Sequence, residues 1–109
     1  MRPTSVTVTG VAVSAPVVLD HMQSPATVAI GVKINSGTAT YTVEHTFDDV
    51  FSPTFTPGTA TWFPHATIAA KVNVNADGNY AFPPIACRLN VGVSSGGTVT
   101  MTVVTAGLI

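Results

Sequence analysis

Between positions 41 and 65 the chain gathers three of its five carboxylates and two of its three histidines. The stretch YTVEHTFDDVF (41–51) carries Glu44, His45, Asp48 and Asp49, and TWFPH (61–65) adds Trp62 and His65. Two histidines and an aspartate are a donor set for a divalent metal. A histidine near a carboxylate is equally a pair for proton transfer. Alternation works against both: in an extended segment neighbours point to opposite sides, so Glu44 and His45 cannot face one ligand. His45 falls on the apolar side of its segment, which favours a partly buried, hydrogen-bonded ring over a metal ligand.

Asp48 and Asp49 follow the end of that segment, where aspartate bonds nearby backbone and starts turns. A calcium site needs several more oxygens, and Val50, Phe51 and Pro53 bring no side-chain oxygen. Two consecutive aspartates are also a poor match to the facing carboxylates of a glycosidase. The chain contains no C-x-x-C, H-E-x-x-H or Gly-rich phosphate loop. Catalytic, cofactor-binding and metal-ligating residues are therefore assigned to none of its positions, and a non-enzyme is expected. Cys87, the single cysteine, cannot close an intrachain bridge and reads as a small buried hydrophobe.

The elements that carry these residues announce themselves by period-two alternation of β-branched side chains. SVTVTGVAV (5–13) alternates until Gly10, where the phase shifts as at a bulge; a short segment follows at 16–19. TVAIGVKI (27–34) puts Val28, Ile30, Val32 and Ile34 on one face. NSG (35–37) predicts a hairpin turn into 38–47, whose apolar face holds Ala39, Tyr41, Val43, His45 and Phe47. Thr38, Thr40, Thr42, Glu44 and Thr46 form the other face. Residues 48–60 read as a loop, followed by strands near 61–63 and 66–74. Asp77-Gly78 predicts a second hairpin. Residues 85–93 place Cys87, Leu89, Val91 and Val93 inward, with Arg88 and Asn90 outward, where Glu44 and Arg88 can pair across strands. SSGG (94–97) predicts a turn into a last strand at 98–105.

Seven or eight short strands with turn signals at this spacing predict one all-β domain over 1–109, an antiparallel β-sandwich of jelly-roll or immunoglobulin-like type. Residues 1–15 are expected as an N-terminal arm or edge strand. A 109-residue chain buries roughly 65% of its unfolded surface, enough for one core without a metal or disulfide staple.

Only 8% of the residues are charged, against about 25% in typical soluble domains. Four basic residues, at positions 2, 33, 71 and 88, cannot form the phosphate-neutralising stripe that nucleic acid requires. Neither an amphipathic basic helix nor an apolar run of membrane-spanning length is present, so no membrane partner is expected. Threonines interrupt MRPTSVTVTG and Asp20 closes VSAPVVL, so no secretory leader is read at the N-terminus. Threonine supplies much of the polar surface, and a neutral surface of this kind suits a component of an assembly.

The succession YTVEHTFDD, TWFPH and ACRLNVGVSSGGTVTMTVVTAG, within residues 38–106, resembles small structural virion proteins of tailed bacteriophages. In these a Y-x-V-E-x-T-x-D strand, a loop and a Trp-centred strand precede a Val/Thr-rich final hairpin. The resemblance implies a capsid decoration or cement protein on the virion surface, with the major capsid protein and further copies of itself (dimer or trimer) as partners. It brings no catalytic residue. Phe51, Phe55, Trp62 and Phe63, in and beside the Pro-rich loop, are the candidate partner-binding residues. The alternative is a tail- or fibre-associated host-attachment module that binds carbohydrate, with Trp62 and Tyr41 or Tyr80 as stacking platforms.

Overall fold

The computed structural model describes residues 4–19, 27–50, 52–56, 58–80 and 84–106. Among them are eight strands: β1 (Thr4–Thr9), β2 (Ala12–Val13), β3 (Val17–Val18), β4 (Thr27–Thr46), β5 (Phe63–Pro64), β6 (Lys71–Val72), β7 (Ala76–Tyr80) and β8 (Ala86–Ala106). All are antiparallel and belong to one open sheet, in which β4 and β8 are central neighbours. β1, β2 and β3 line the outer side of β8, and β5, β6 and β7 line the outer side of β4. The segment expected as an arm or edge strand thus supplies β1, at the end of the strand order; residues 1–3 lie outside the described residues.

The sequence led to two sheets of short strands; hydrogen bonding joins all eight in one sheet, because its two central strands are long. The NSG and SSGG segments do not reverse the chain. They lie opposite each other inside β4 and β8, where Thr38 faces both Ser95 and Gly96 and the register slips several times between Ile34 and Ala39. Gly37 (φ 66°) and Gly96 (φ 62°) take up left-handed backbone at this level, one in each strand. Both long strands therefore bulge and bend together. A straight strand of β4's length would span about 65 Å, whereas the longest dimension of the molecule is 39 Å.

The bulge also resets which residues face inward. Val28, Ile30 and Val32 are buried before it, and Ala39, Tyr41 and Val43 after it. On β8 the inward set keeps its parity, Leu89 and Val91 on one side of the bulge and Val99, Met101 and Val103 on the other, and both halves of the sheet share one core with Val8, Ile68 and Tyr80. A further slip, Thr40 opposite Val93 but Tyr41 opposite Val91, inserts Gly92 as an extra residue. It turns Val93 outward, 64% exposed, against the inward position expected from simple alternation. Thr46 likewise departs from the exposed threonine face: it is buried, and its hydroxyl donates to the Thr61 carbonyl at 2.8 Å.

Asp77-Gly78 lies within β7, opposite Gly31 and Ile30, and is not a hairpin turn. A Cβ on Gly78 would come within 2.9 Å of the His65 ring and 3.1 Å of Ile68. The glycine is there because side chains approach its backbone, not because the chain turns. The strand expected over 66–74 shrinks to Lys71–Val72, since Ala70 (φ 50°) and Asn73 (φ 54°) adopt left-handed backbone on either side. Their backbone N–H groups bond back to β4, to the Thr42 hydroxyl and the Ala39 carbonyl.

Candidate functional site

The C-terminal end of β4 carries the chain's polar and aromatic residues on two opposite faces. On the inner face His45 lies opposite Phe63 of β5 and Cys87 of β8. Its ring stacks on Phe63 (centroids 5.9 Å, 27° between planes) and meets Phe47 edge-on at 5.4 Å. Tyr80 closes the inner side, edge-on at 5.0 Å, with its hydroxyl 2.9 Å from His45 Nδ1. Burial, and then the nearby His65, hold the His45 pKa below its usual 6.5. In the neutral imidazole that carries its proton on Nε2, Nδ1 accepts from the Tyr80 O–H. Burial, reinforced by Cys87, pushes the Tyr80 hydroxyl well above its ordinary value, so this donor keeps its proton.

His65 lies on the other side of Tyr80, with centroids 4.9 Å apart. Its Nδ1 accepts the backbone N–H groups of Thr67 (3.1 Å) and Ile68 (3.2 Å). Its Nε2 then donates to the Asn79 carbonyl at 2.8 Å. Both ring nitrogens are thus used in tying the 65–68 turn to β7. The two histidines flank one tyrosine, but no aspartate joins them. Asp48 Oδ2 accepts the Thr61 N–H at 2.7 Å, and the Asp49 carbonyl accepts the Ser52 N–H at 3.2 Å, both closing the 49–60 loop. Among the described residues no group of three or more His, Cys, Asp and Glu side chains is placed to hold a metal ion. Cys87 is buried, and burial pushes its thiol up to about 12, far from a nucleophilic thiolate.

On the outer face Glu44 meets Arg88, as alternation requires. Arg88 Nε donates to Glu44 Oε1 at 2.8 Å, and the guanidinium lies 4.1 Å over the Trp62 ring centre. The Asn90 amide approaches the same carboxylate oxygen at 3.5 Å. Trp62 and Phe63 therefore occupy opposite sides of the chain: Trp62 is half-buried beneath Arg88, and Phe63 is 46% exposed at the mouth of the core.

The four candidate partner-binding residues separate accordingly. Phe51 lies outside the described residues. Phe55 is half-buried and lines a shallow concavity of about 300 Å³ with Asp48, Asp49, Ser52 and Thr56. Phe63 is presented to solvent, and beside it stands Phe47, 52% exposed and 5.9 Å away between ring centres. Phe47 was missed as a surface residue because it continues the apolar phase of Val43 and His45. Its neighbour Asp48, which leaves the sheet, is the signal that the core ends there. Tyr41 and Tyr80 are buried and do not serve as the stacking platforms considered for carbohydrate.

Compared with known proteins, the chain matches no protein-family model, no curated protein and no solved structure.

Proposed function

We propose that the protein is a non-enzymatic structural component of a virion, a decoration or cement protein that binds the major capsid protein on the outer surface of a phage head. The observation that carries this reading is the exposed Phe47–Phe63 pair, continuous with the core through His45, on a chain with hardly any charge. Aromatic side chains with little conformational entropy to lose are strong anchors for a protein partner. A neutral, threonine-rich exterior can be covered at low desolvation cost, and many copies on a regular lattice convert weak single contacts into firm attachment. The bent sheet, with both halves on one core, is read as a sandwich-like shell that supports this rim. The resemblance of residues 38–106 to phage virion proteins points in the same direction.

The test is reconstitution on heads that lack the protein. Phe47→Ser and Phe63→Ser should each weaken binding by about 30-fold, the effect of losing an anchor worth about 2 kcal/mol, while circular dichroism and thermal melting stay near wild type. Hundreds of copies per purified particle would support a shell role. A handful of copies would favour attachment through a tail or fibre, and undiminished binding by both variants would remove the aromatic rim from the account.

A further inference from the structure

We infer that the open edge of β1 pairs with β1 of a second copy, joining two sheets into one across a two-fold axis at Thr7. The inference does not draw on the proposed virion role, since the edge belongs to the free protein.

An edge strand leaves a row of N–H and C=O groups without partners, and proteins usually blunt such rows with proline, charge, bulges or short length. The edge segments other than β1 carry these devices. β2 and β3 are two residues each with Pro16 between them, and β5 contains Pro64. β6 is two residues long, contains Lys71 and is flanked by left-handed Ala70 and Asn73; β7 carries Asp77. β1, TSVTVT over six residues, has none of them. Among the described residues it pairs on one side only, with β8.

The ladder phase tells which groups are open. The Gly10 N–H donates to the Gly97 carbonyl at 3.0 Å, flanking the Thr9–Thr98 pair. In an antiparallel ladder this makes Thr9–Thr98 a wide pair and Val8–Val99 a narrow one. Thr4, Val6 and Val8 thus turn their backbone groups toward β8, and Ser5, Thr7 and Thr9 turn theirs to the open edge. A second β1 centred on Thr7 forms three narrow pairs, Thr7 with Thr7 and Ser5 with Thr9 twice, each exchanging two hydrogen bonds. Centring on Val6 forms only two such pairs, Ser5 with Thr7 twice. A register centred between two residues sets valine faces against hydroxyl faces.

The Thr7 register also matches side chains. Val6, half-buried at the rim of the core, meets Val8 of the second copy on the inner face. On the outer face Ser5 and Thr7 already bond the hydroxyls of Thr102 (3.0 Å) and Thr100 (2.9 Å). The hydroxyl rows of two molecules become continuous. No charged residue lies on β1, so two copies meet without repulsion. A six-residue edge is small beside the roughly 1,200 Å² of a stable interface, so a concentration-dependent dimer is expected.

Sedimentation of the intact chain up to about 1 mM should show a monomer–dimer equilibrium. Thr7→Cys should form a disulfide-linked dimer under mild oxidation, because the two Thr7 Cα atoms sit about 5.5 Å apart in a narrow pair. Ser5→Cys alone should not, since its counterpart is about 13 Å away along the strand, yet mixing Ser5→Cys with Thr9→Cys should cross-link the two. Cys87 is buried and does not compete. Thr7→Pro removes an outward N–H and the exposed hydroxyl that bonds Thr100, and should leave a folded monomer at every concentration. A chain that stays monomeric throughout, a dimer that survives Thr7→Pro, or equal cross-linking of Ser5→Cys and Thr7→Cys alone would each overturn the inference. Should Thr7→Pro fail to fold, the cysteine pattern decides.

Discussion

Glu44 and Arg88 stand directly opposite each other on the two central strands, their side chains joined at 2.8 Å and both largely sheltered, at 18% and 15% exposure. The guanidinium in turn covers the Trp62 ring, on which it stacks. Whatever desolvation takes from the pair itself, removing one member strands the other in a low-dielectric site.

Arg88→Ala should therefore lower stability by about 2–3 kcal/mol, combining the stranded carboxylate with the lost cation–π contact. Arg88→Lys should recover only part of it, since an ammonium cannot reproduce the planar stack. Urea titration with Trp62 fluorescence checks both, and the emission should shift red in Arg88→Ala as the ring loses its cover.

His45 gives the protein an acid-sensitive element. Its folded pKa lies below the unfolded 6.5, so between those values the unfolded chain binds more protons than the folded one. Stability from the neutral ring is complete above about pH 6.5 and is lost as pH falls from there through the folded pKa. Melting temperatures from pH 8 to pH 5 should decline through this window. His45→Gln should flatten the decline relative to wild type; an unchanged profile would move the acid sensitivity to another group.

The paired bulges make a sharp prediction about glycine. A Cβ at Gly97 would sit 2.5 Å from the Thr38 carbonyl oxygen and 2.8 Å from the Ser94 hydroxyl, whereas one at Gly31 meets nothing within 4 Å. Gly97→Ala should cost at least about 2 kcal/mol by forcing the strands apart at the bend. Gly31→Ala should be neutral or stabilise by up to about 1 kcal/mol, because alanine has less backbone entropy to lose in a strand. Chemical denaturation of the two variants side by side is sufficient.

These glycines also mark what local sequence could and could not convey. Alternation alone put Val28, Ile30, Val32 and Ile34 on one face, set Glu44 opposite in sense to His45, and located the break at Gly10. Each depends only on the two-residue period of a strand. NSG and SSGG carry the same residues whether the chain reverses or bulges. The choice is made by the non-local ladder of β4 with β8, which pairs β-branched residues on both sides of each segment. Val93 and Phe47 were misplaced for a related reason: the alternating phase persists in sequence after a bulge or the end of the core has changed its meaning. The bond that Asp48 makes was not legible: local turn chemistry would tie it to nearby backbone, whereas its carboxylate accepts the Thr61 N–H from the far end of the loop. Nor was the exposed Phe47–Phe63 pair, because β5 reaches β4 only after the 48–60 loop has closed.

Asp48 controls that closure, and its removal should separate local from global stability. Its carboxylate holds the Thr61 N–H from across the loop, while its own N–H donates to the Thr46 hydroxyl, itself bonded to the Thr61 carbonyl. Asp48→Ala leaves the Thr46 bonds in place, including the one to the Thr61 carbonyl, but frees the Thr61 N–H, so the loop should loosen without unfolding the sheet. Limited proteolysis should cut between residues 49 and 60 several-fold faster, with a melting temperature within about 5 °C of wild type. Asp48→Asn retains an acceptor oxygen and should be cut at close to the wild-type rate. If Asp48→Ala instead melts far below wild type without selective cleavage, the loop belongs to the same cooperative unit as β4 and β8, and the aromatic rim is as rigid as the core beneath it.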